Sequence, residues 1–162
     1  MFEELADAPP LRLVAEALRE RIGEALLETT CEKRELAFRI KPDDLLAVLE
    51  FLKVGQGFGV LDDIIGLDRS PAPGEGRKRF SVLYQLYRFA DHIRVRIAID
   101  VDEDEPVPSV ISLYPSADWA EREVFDMFGL RFRGRSDLRR IYLDDEFAGH
   151  PLRKDFPLRG QG

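Results

Sequence analysis

The chain has little with which to hold a metal or a redox centre: one cysteine, Cys31, and two histidines, His92 and His150, in 162 residues. A lone cysteine excludes an internal disulfide, a four-cysteine zinc site and a cysteine-ligated iron–sulfur cluster, and two histidines leave few soft ligands for a transition metal. Any electron carrier that serves this protein therefore sits on another chain. No apolar run approaches the roughly 18 residues that a membrane span needs. The start, Met1-Phe2-Glu3-Glu4-Leu5, is acidic where a signal peptide is basic and then apolar. These absences predict a cytoplasmic protein, or one held at a membrane only through something else. Also missing are a glycine-flanked serine, a Walker lysine, a His/Cys pairing and any internal repeat, so acyl and phosphoryl transfer have no candidate machinery.

What is present suits one soluble globular domain: 44% hydrophobic residues and a formal net charge of −7, from 24 Lys+Arg against 31 Asp+Glu. A chain of this length buries roughly 70% of its unfolded surface, enough for a core without covalent staples. The charge is uneven, because residues 131–162 carry eight basic against five acidic side chains. An acidic body repels nucleic acid and acidic lipid, so the basic end is suited to an acidic protein surface, or simply to water.

Pro10 followed by Leu11, Val14, Ala15, Leu18 and Ile22 predicts an amphipathic helix closed by Gly23. Period-two alternation over Ala25–Cys31 and Leu36–Ile40, across a polar turn at Glu32 to Glu35, predicts a hairpin. Pro42-Asp43-Asp44 opens a second helix whose apolar face is Leu45, Val48, Leu49 and Leu52, ending by Gly55. A strand near Ile64–Leu67 follows. The stretch Arg69-Ser70-Pro71-Ala72-Pro73-Gly74-Glu75-Gly76 reads as a surface loop. Phe80, Val82, Tyr84 and Leu86, then Ile93, Val95, Ile97, Ile99 and Val101, alternate as strands with one face on a core and the other wet. The expected fold is α+β, a two-layer domain with helices packed on one face of a mainly antiparallel sheet. It covers residues 1–130, and 131–162 form an extended basic segment, since Pro151 and Pro157 oppose regular structure.

Gly55-Gln56-Gly57-Phe58-Gly59 follows a helix and has Val60 where a dinucleotide fingerprint requires glycine, so it reads as a turn. The run Asp100 to Glu105 lacks the glycine of a calcium loop and reads as a solvated acidic loop. Cys31, on a predicted strand, reads as a small core residue. Asp118-Trp119-Ala120-Glu121-Arg122-Glu123-Val124-Phe125-Asp126-Met127-Phe128-Gly129 is more specific. Asp118 and Glu121 have capping-box spacing and Gly129 closes the helix. Glu121, Glu123 and Asp126 could serve as paired carboxylates in a stand-alone hydrolase or isomerase, and Arg122 and Asp126 could simply pair at i,i+4. Aromatics beside charges, followed by Arg131, Arg133, Arg135, Arg139 and Arg140, fit an obligate interface better. Gly149-His150-Pro151-Leu152-Arg153-Lys154-Asp155-Phe156-Pro157-Leu158 reads as a docking tail, with two prolines that lower the entropy cost of binding and His150 in a structural turn.

The block from Asp118 to Leu158, through Glu121-Arg122-Glu123, Asp126-Met127-Phe128-Gly129, Asp137-Leu138-Arg139-Arg140-Ile141 and Gly149-His150-Pro151-Leu152-Arg153-Lys154-Asp155, closely resembles the C subunit, or 30 kDa subunit, of proton-translocating NADH:quinone oxidoreductase, respiratory complex I. It departs at Arg135-Ser136, where that family usually has histidine or lysine before proline, and at Phe147, where tryptophan is common. The resemblance implies a chain without flavin, cluster, metal or quinone site and without catalytic residues of its own. It also implies a place in the peripheral arm against the D subunit, the large subunit that forms much of the quinone pocket. That place is on the cytoplasmic side of the inner membrane, held there through other subunits. NADH, FMN, iron–sulfur clusters and quinone would belong to the complex. Glu121, Arg122, Glu123, Asp126, Arg139, Arg140, His150, Pro151, Arg153, Lys154 and Asp155 would be its motif and interface residues. The end at Gly162, soon after the tail, suggests a free-standing chain not fused to the D subunit. An equivalent subunit of a membrane-bound hydrogenase or of a dehydrogenase with another donor is the neighbouring possibility.

Overall fold

The computed structural model describes residues 9–32, 35–72, 74 and 76–157. Helix α1 (Pro9–Ile22) buries Leu11, Val14, Ala15 and Leu18, and Gly23, at φ +48°, turns the chain out of it. Strands β1 (Leu26–Glu32) and β2 (Glu35–Ile40) form the expected hairpin, with Cys31 opposite Leu36 and buried. Lys33 and Arg34 of its turn lie outside the described residues, as do Met1–Leu5, Pro73, Glu75, Leu158 and Gly162. Helix α2 (Leu45–Glu50) follows the turn Pro42–Asp44 and widens into a last turn at Phe51–Gly55. The glycines after it form a turn, with Gly57 at φ +77°.

Strand β3 (Val60–Asp68) is longer than the alternation suggests. A bulge between Leu61 and Asp63 interrupts the period of two, so backbone pairing continues where the side-chain pattern breaks. Strands β4 (Phe80–Arg88) and β5 (Ile93–Val101) complete a sheet in the order β1-β2-β5-β4-β3. All neighbours are antiparallel except β2 and β5. One row of cross-strand partners, Phe38, Ile97, Tyr84 and Ile64, lies on the buried face and joins the apolar sides of all the helices in one core. On the other face Arg39, Ala98, Leu83 and Ile65 form the matching row, largely free of helices.

Helix α3 (Ala117–Phe128) lies against β3 and ends at Gly129, whose φ of +74° suits the left-handed cap. The capping box does not form. The helix starts two residues earlier than its pattern implies, with Ser116 before its first turn; no side chain caps it, and Glu121 turns into the interior instead. Phe128 sits over Gly66 so closely that a Cβ at residue 66 would lie 2.6 Å from its ring. Gly66→Ala should therefore cost about 1–3 kcal/mol through overpacking. A urea midpoint equal to that of the unsubstituted chain would contradict this seating.

After α3, β7 (Phe132–Arg133) pairs in parallel with β6 (Val107–Pro108). Beyond Arg133 the described chain has only turns and bends.

Candidate functional site

The segment after Arg133 returns to the start of α3 and runs along the helix a second time. Glu121, fully buried, accepts hydrogen bonds from the Ser109 hydroxyl (2.9 Å), the Val110 N–H (2.7 Å) and Arg135 (3.1 Å). Arg135 also reaches Asp118 at 2.5 Å. Farther along, Asp126, also fully buried, accepts from Arg140 at 2.6 Å and from the N–H groups of Ile141, Tyr142 and Leu143 at 2.9–3.1 Å. Each acid thus meets an arginine fourteen residues later.

The two acids titrate in opposite directions. Burial raises the Glu121 carboxyl, and Val110, Ser109 and Arg135 offset this only in part. Burial also raises Asp126, but three backbone donors and Arg140 outweigh it and hold that carboxyl low.

The segment then satisfies the end of the helix. His150 Nδ1 lies 2.9 Å from the Asp126 carbonyl, the Leu152 N–H donates to Met127 O at 3.2 Å, and Arg153 Nε donates to Phe128 O at 2.6 Å. These are carbonyls that a helix leaves without internal partners. A second fastening joins the segment to the sheet. Asp68, its side chain inaccessible, accepts from Arg79 at 3.0 Å and from the N–H groups of Lys154 (3.0 Å) and Ser70 (2.9 Å). Arg79 in turn holds Asp155 at 2.8 Å, and Arg153 pairs with Glu103.

Burial raises the Asp68 carboxyl, yet Arg79 and the two N–H groups carry it well below the ordinary 3.8. A group depressed on folding stabilises the fold above its unfolded value and loses that contribution as pH falls through its folded value. The Lys154 amide should therefore be protected from hydrogen exchange at neutral pH and lose protection as pH drops below 3.8. Protection unchanged to the acid limit of the fold would contradict this fastening.

The expected interface residues thus divide. Glu121, Asp126, Arg140 and Arg153 turn inward and find partners in this chain. Arg122 pairs with Asp118 and Asp137, both at 3.4 Å, not with Asp126 as the i,i+4 spacing suggests. His150 and Pro151 are half-buried; Glu123, Arg139, Lys154 and Asp155 are exposed. Asp100 departs from the solvated-loop reading, since it lies on β5 and accepts from Ser81 at 2.5 Å.

Outward, the same frame presents Trp119 (65% exposed), Glu123, Tyr142 (65%) and Leu152 (53%). Trp119 and Glu123 are four apart on α3, the Tyr142 hydroxyl reaches Glu123 at 3.4 Å, and Leu152 is tied to Met127 one turn farther on. Sequence reasoning missed Tyr142, Asp68 and Arg79. It treated Arg135 as one arginine of an interface, although the repeated offset of fourteen residues was available as a signal.

Residues 38–162 match the family model of the respiratory-chain NADH dehydrogenase 30 kDa subunit. The C subunit of NADH-quinone oxidoreductase from Methylobacterium sp. (strain 4-46) is 41% identical over 152 residues, 93% of this chain and 69% of that protein. Its counterpart in Roseobacter denitrificans is 42% identical over 154 residues, 93% and 75%. Among solved structures, the trypsin-resistant fragment (1–134) of Nqo5 superposes with a TM-score of 0.69 at 30% identity, covering 80% of this chain and 99% of the fragment. A chain of the membrane-bound sulfane sulfur reductase, an archaeal respiratory membrane complex, superposes at 0.75 with 25% identity, covering 91% and 85%. The architecture and these likenesses point the same way: the chain belongs to the 30 kDa subunit family of respiratory-chain NADH dehydrogenase, and is a subunit of complex I.

Proposed function

We propose that this chain is an accessory subunit of the peripheral arm of NADH-quinone oxidoreductase, with a structural and assembly role against the D subunit and neither a cofactor nor a catalytic residue of its own. NADH, FMN, iron–sulfur clusters and quinone then belong to other chains of the complex, which hold this one at the cytoplasmic side of the inner membrane. Among the described residues no helix is long and apolar enough to cross a membrane.

The observation that carries the reading is the exposed stripe Trp119, Glu123, Tyr142 and Leu152 on a frame locked by buried ion pairs. Large aromatics held rigidly at a surface are what binding hot spots use. The stand-alone hydrolase reading loses support for a geometric reason. The carboxylates of Glu121 and Asp126 are taken up by donors within the chain, which leaves little capacity for substrate or metal.

The test is affinity purification of the tagged chain from gently solubilised native membranes, with and without Trp119→Ala. The unsubstituted chain should bring the D subunit with flavin- and cluster-bearing chains, and the variant should bring about thirtyfold less, as for a hot spot of about 2 kcal/mol. Recovery of hydrogenase or sulfane sulfur reductase subunits would move the chain to a related complex, a reading favoured by its likeness to the archaeal structure. Recovery of no partner would overturn both.

A further inference from the structure

Among the described residues, neither helix nor strap crosses most of the sheet face opposite the core, and that face is not uniformly polar. Ala37, Leu83, Ala98 and Leu67 floor a depression of about 260 Å³, with Arg39, Arg69, Arg77 and Arg96 around it. The charges there do not balance. Arg39 and Arg77 share one carboxylate, Glu28, at 3.1 and 2.7 Å. Asp100 is shared between Arg39 (3.5 Å) and the Ser81 hydroxyl (2.5 Å). Arg69, half-buried, donates from its side chain only to that hydroxyl, at 2.6 Å, and meets no carboxylate among the described residues. With Arg96 paired to Glu35 at 3.6 Å, four guanidinium groups face three carboxylates among the described residues, on a chain whose net charge is −7.

We infer that this face is a second docking surface, which receives a carboxylate-bearing polypeptide segment of a neighbouring subunit; the inference rests on the complex reading above. The chemistry favours a polypeptide over a small free anion. Strands β2, β5 and β4 have a neighbour on each side, so their N–H groups are engaged in the sheet and a small anion over the apolar floor would meet only side chains there. An acidic segment with an aliphatic side chain fills both halves of the site. Its carboxylate completes the guanidinium fork of Arg69, and its apolar group covers Leu67 and Leu83.

The test uses Leu67→Cys in the tagged chain, since Leu67 is 37% exposed and Cys31 is buried. Maleimide labelling should be at least about tenfold slower in the purified complex than in the free chain, as for a surface covered by a partner. Arg69→Gln should lower recovery of one neighbouring subunit by about tenfold while leaving the free chain's unfolding midpoint unchanged. A complete complex in which residue 67 labels as fast as in the free chain would overturn this inference alone. So would undiminished recovery with Arg69→Gln. Slowing of the free chain's labelling by inorganic phosphate would assign the arginines to a small anion and overturn the partner. If the unsubstituted chain recovers no other subunit, the complex reading and this inference fall together.

Discussion

Replacing Asp126 with alanine should release the segment after residue 139 while leaving the sheet and the first two helices folded. The carboxylate, itself fully buried, binds one guanidinium and three consecutive backbone N–H groups; its removal strands the three N–H groups and leaves Arg140 only main-chain carbonyls as acceptors. Removing one partner of a buried ion pair costs about 3–5 kcal/mol. Here the cost should appear locally, because the stranded groups belong to a segment that can leave the helix and find water. Hydrogen exchange at Ile141, Tyr142 and Leu143 should accelerate about a hundredfold or more, the equivalent of about 3 kcal/mol of opening. Trypsin should then cut more readily at Arg139 and Arg140. Arg139→Ala is the contrast: its side chain is 74% exposed and, among the described residues, pairs only with Asp137, so exchange at those amides should not change. Equal effects at residues 126 and 139 would mean that the segment is held by something other than this buried acid.

Arg135→Ala should have the larger effect on global stability. Glu121 is anchored in the middle of α3 and cannot leave, so deleting the arginine leaves a buried carboxylate with only Ser109 and Val110 as donors. The expected loss is about 3–5 kcal/mol in urea unfolding near neutral pH. The pH dependence identifies its source. The Glu121 carboxyl is already raised above its ordinary 4.5 by burial, and loss of Arg135 raises it further. A raised acid binds its proton more tightly in the folded state, so stability falls as pH climbs from 4.5 through the folded value and recovers on acidification. The deficit of Arg135→Ala should therefore shrink towards pH 4.5, and Glu121→Gln in the same chain should relieve most of it at neutral pH. A deficit independent of pH would show that Arg135 contributes packing and not charge.

These two results bear on why the arginines after α3 resisted interpretation from spacing. Eight basic residues beyond residue 130 read as a positive tail seeking a partner, because sequence reports charge without direction. Folding turns Arg135 and Arg140 inward onto buried Glu121 and Asp126, lays Arg153 against the helix end and exposed Glu103, and leaves Arg139 and Lys154 outside. The same blindness affected α3 itself. Asp118 and Glu121 have the spacing of a cap, but Glu121 faces the interior and its carboxylate is taken by a loop eleven residues earlier and an arginine fourteen residues later.

The resemblance of the Asp118–Leu158 motifs pointed to the family; by itself the sequence determined the helices of the first half, the hairpin, the two long strands and the left-handed close at Gly129. These depend on local periodicity, on glycine at positive φ and on side chains a few residues apart, all of which are written along the chain. Only the tertiary structure decided the strand order, the parallel pairing of β2 with β5, the bulge in β3, the fastening of the last segment at Asp68 and the exposure of Trp119 and Tyr142. Each of these depends on groups distant in sequence competing for the same donors and the same buried area, and that competition is resolved only when the whole chain closes on its core.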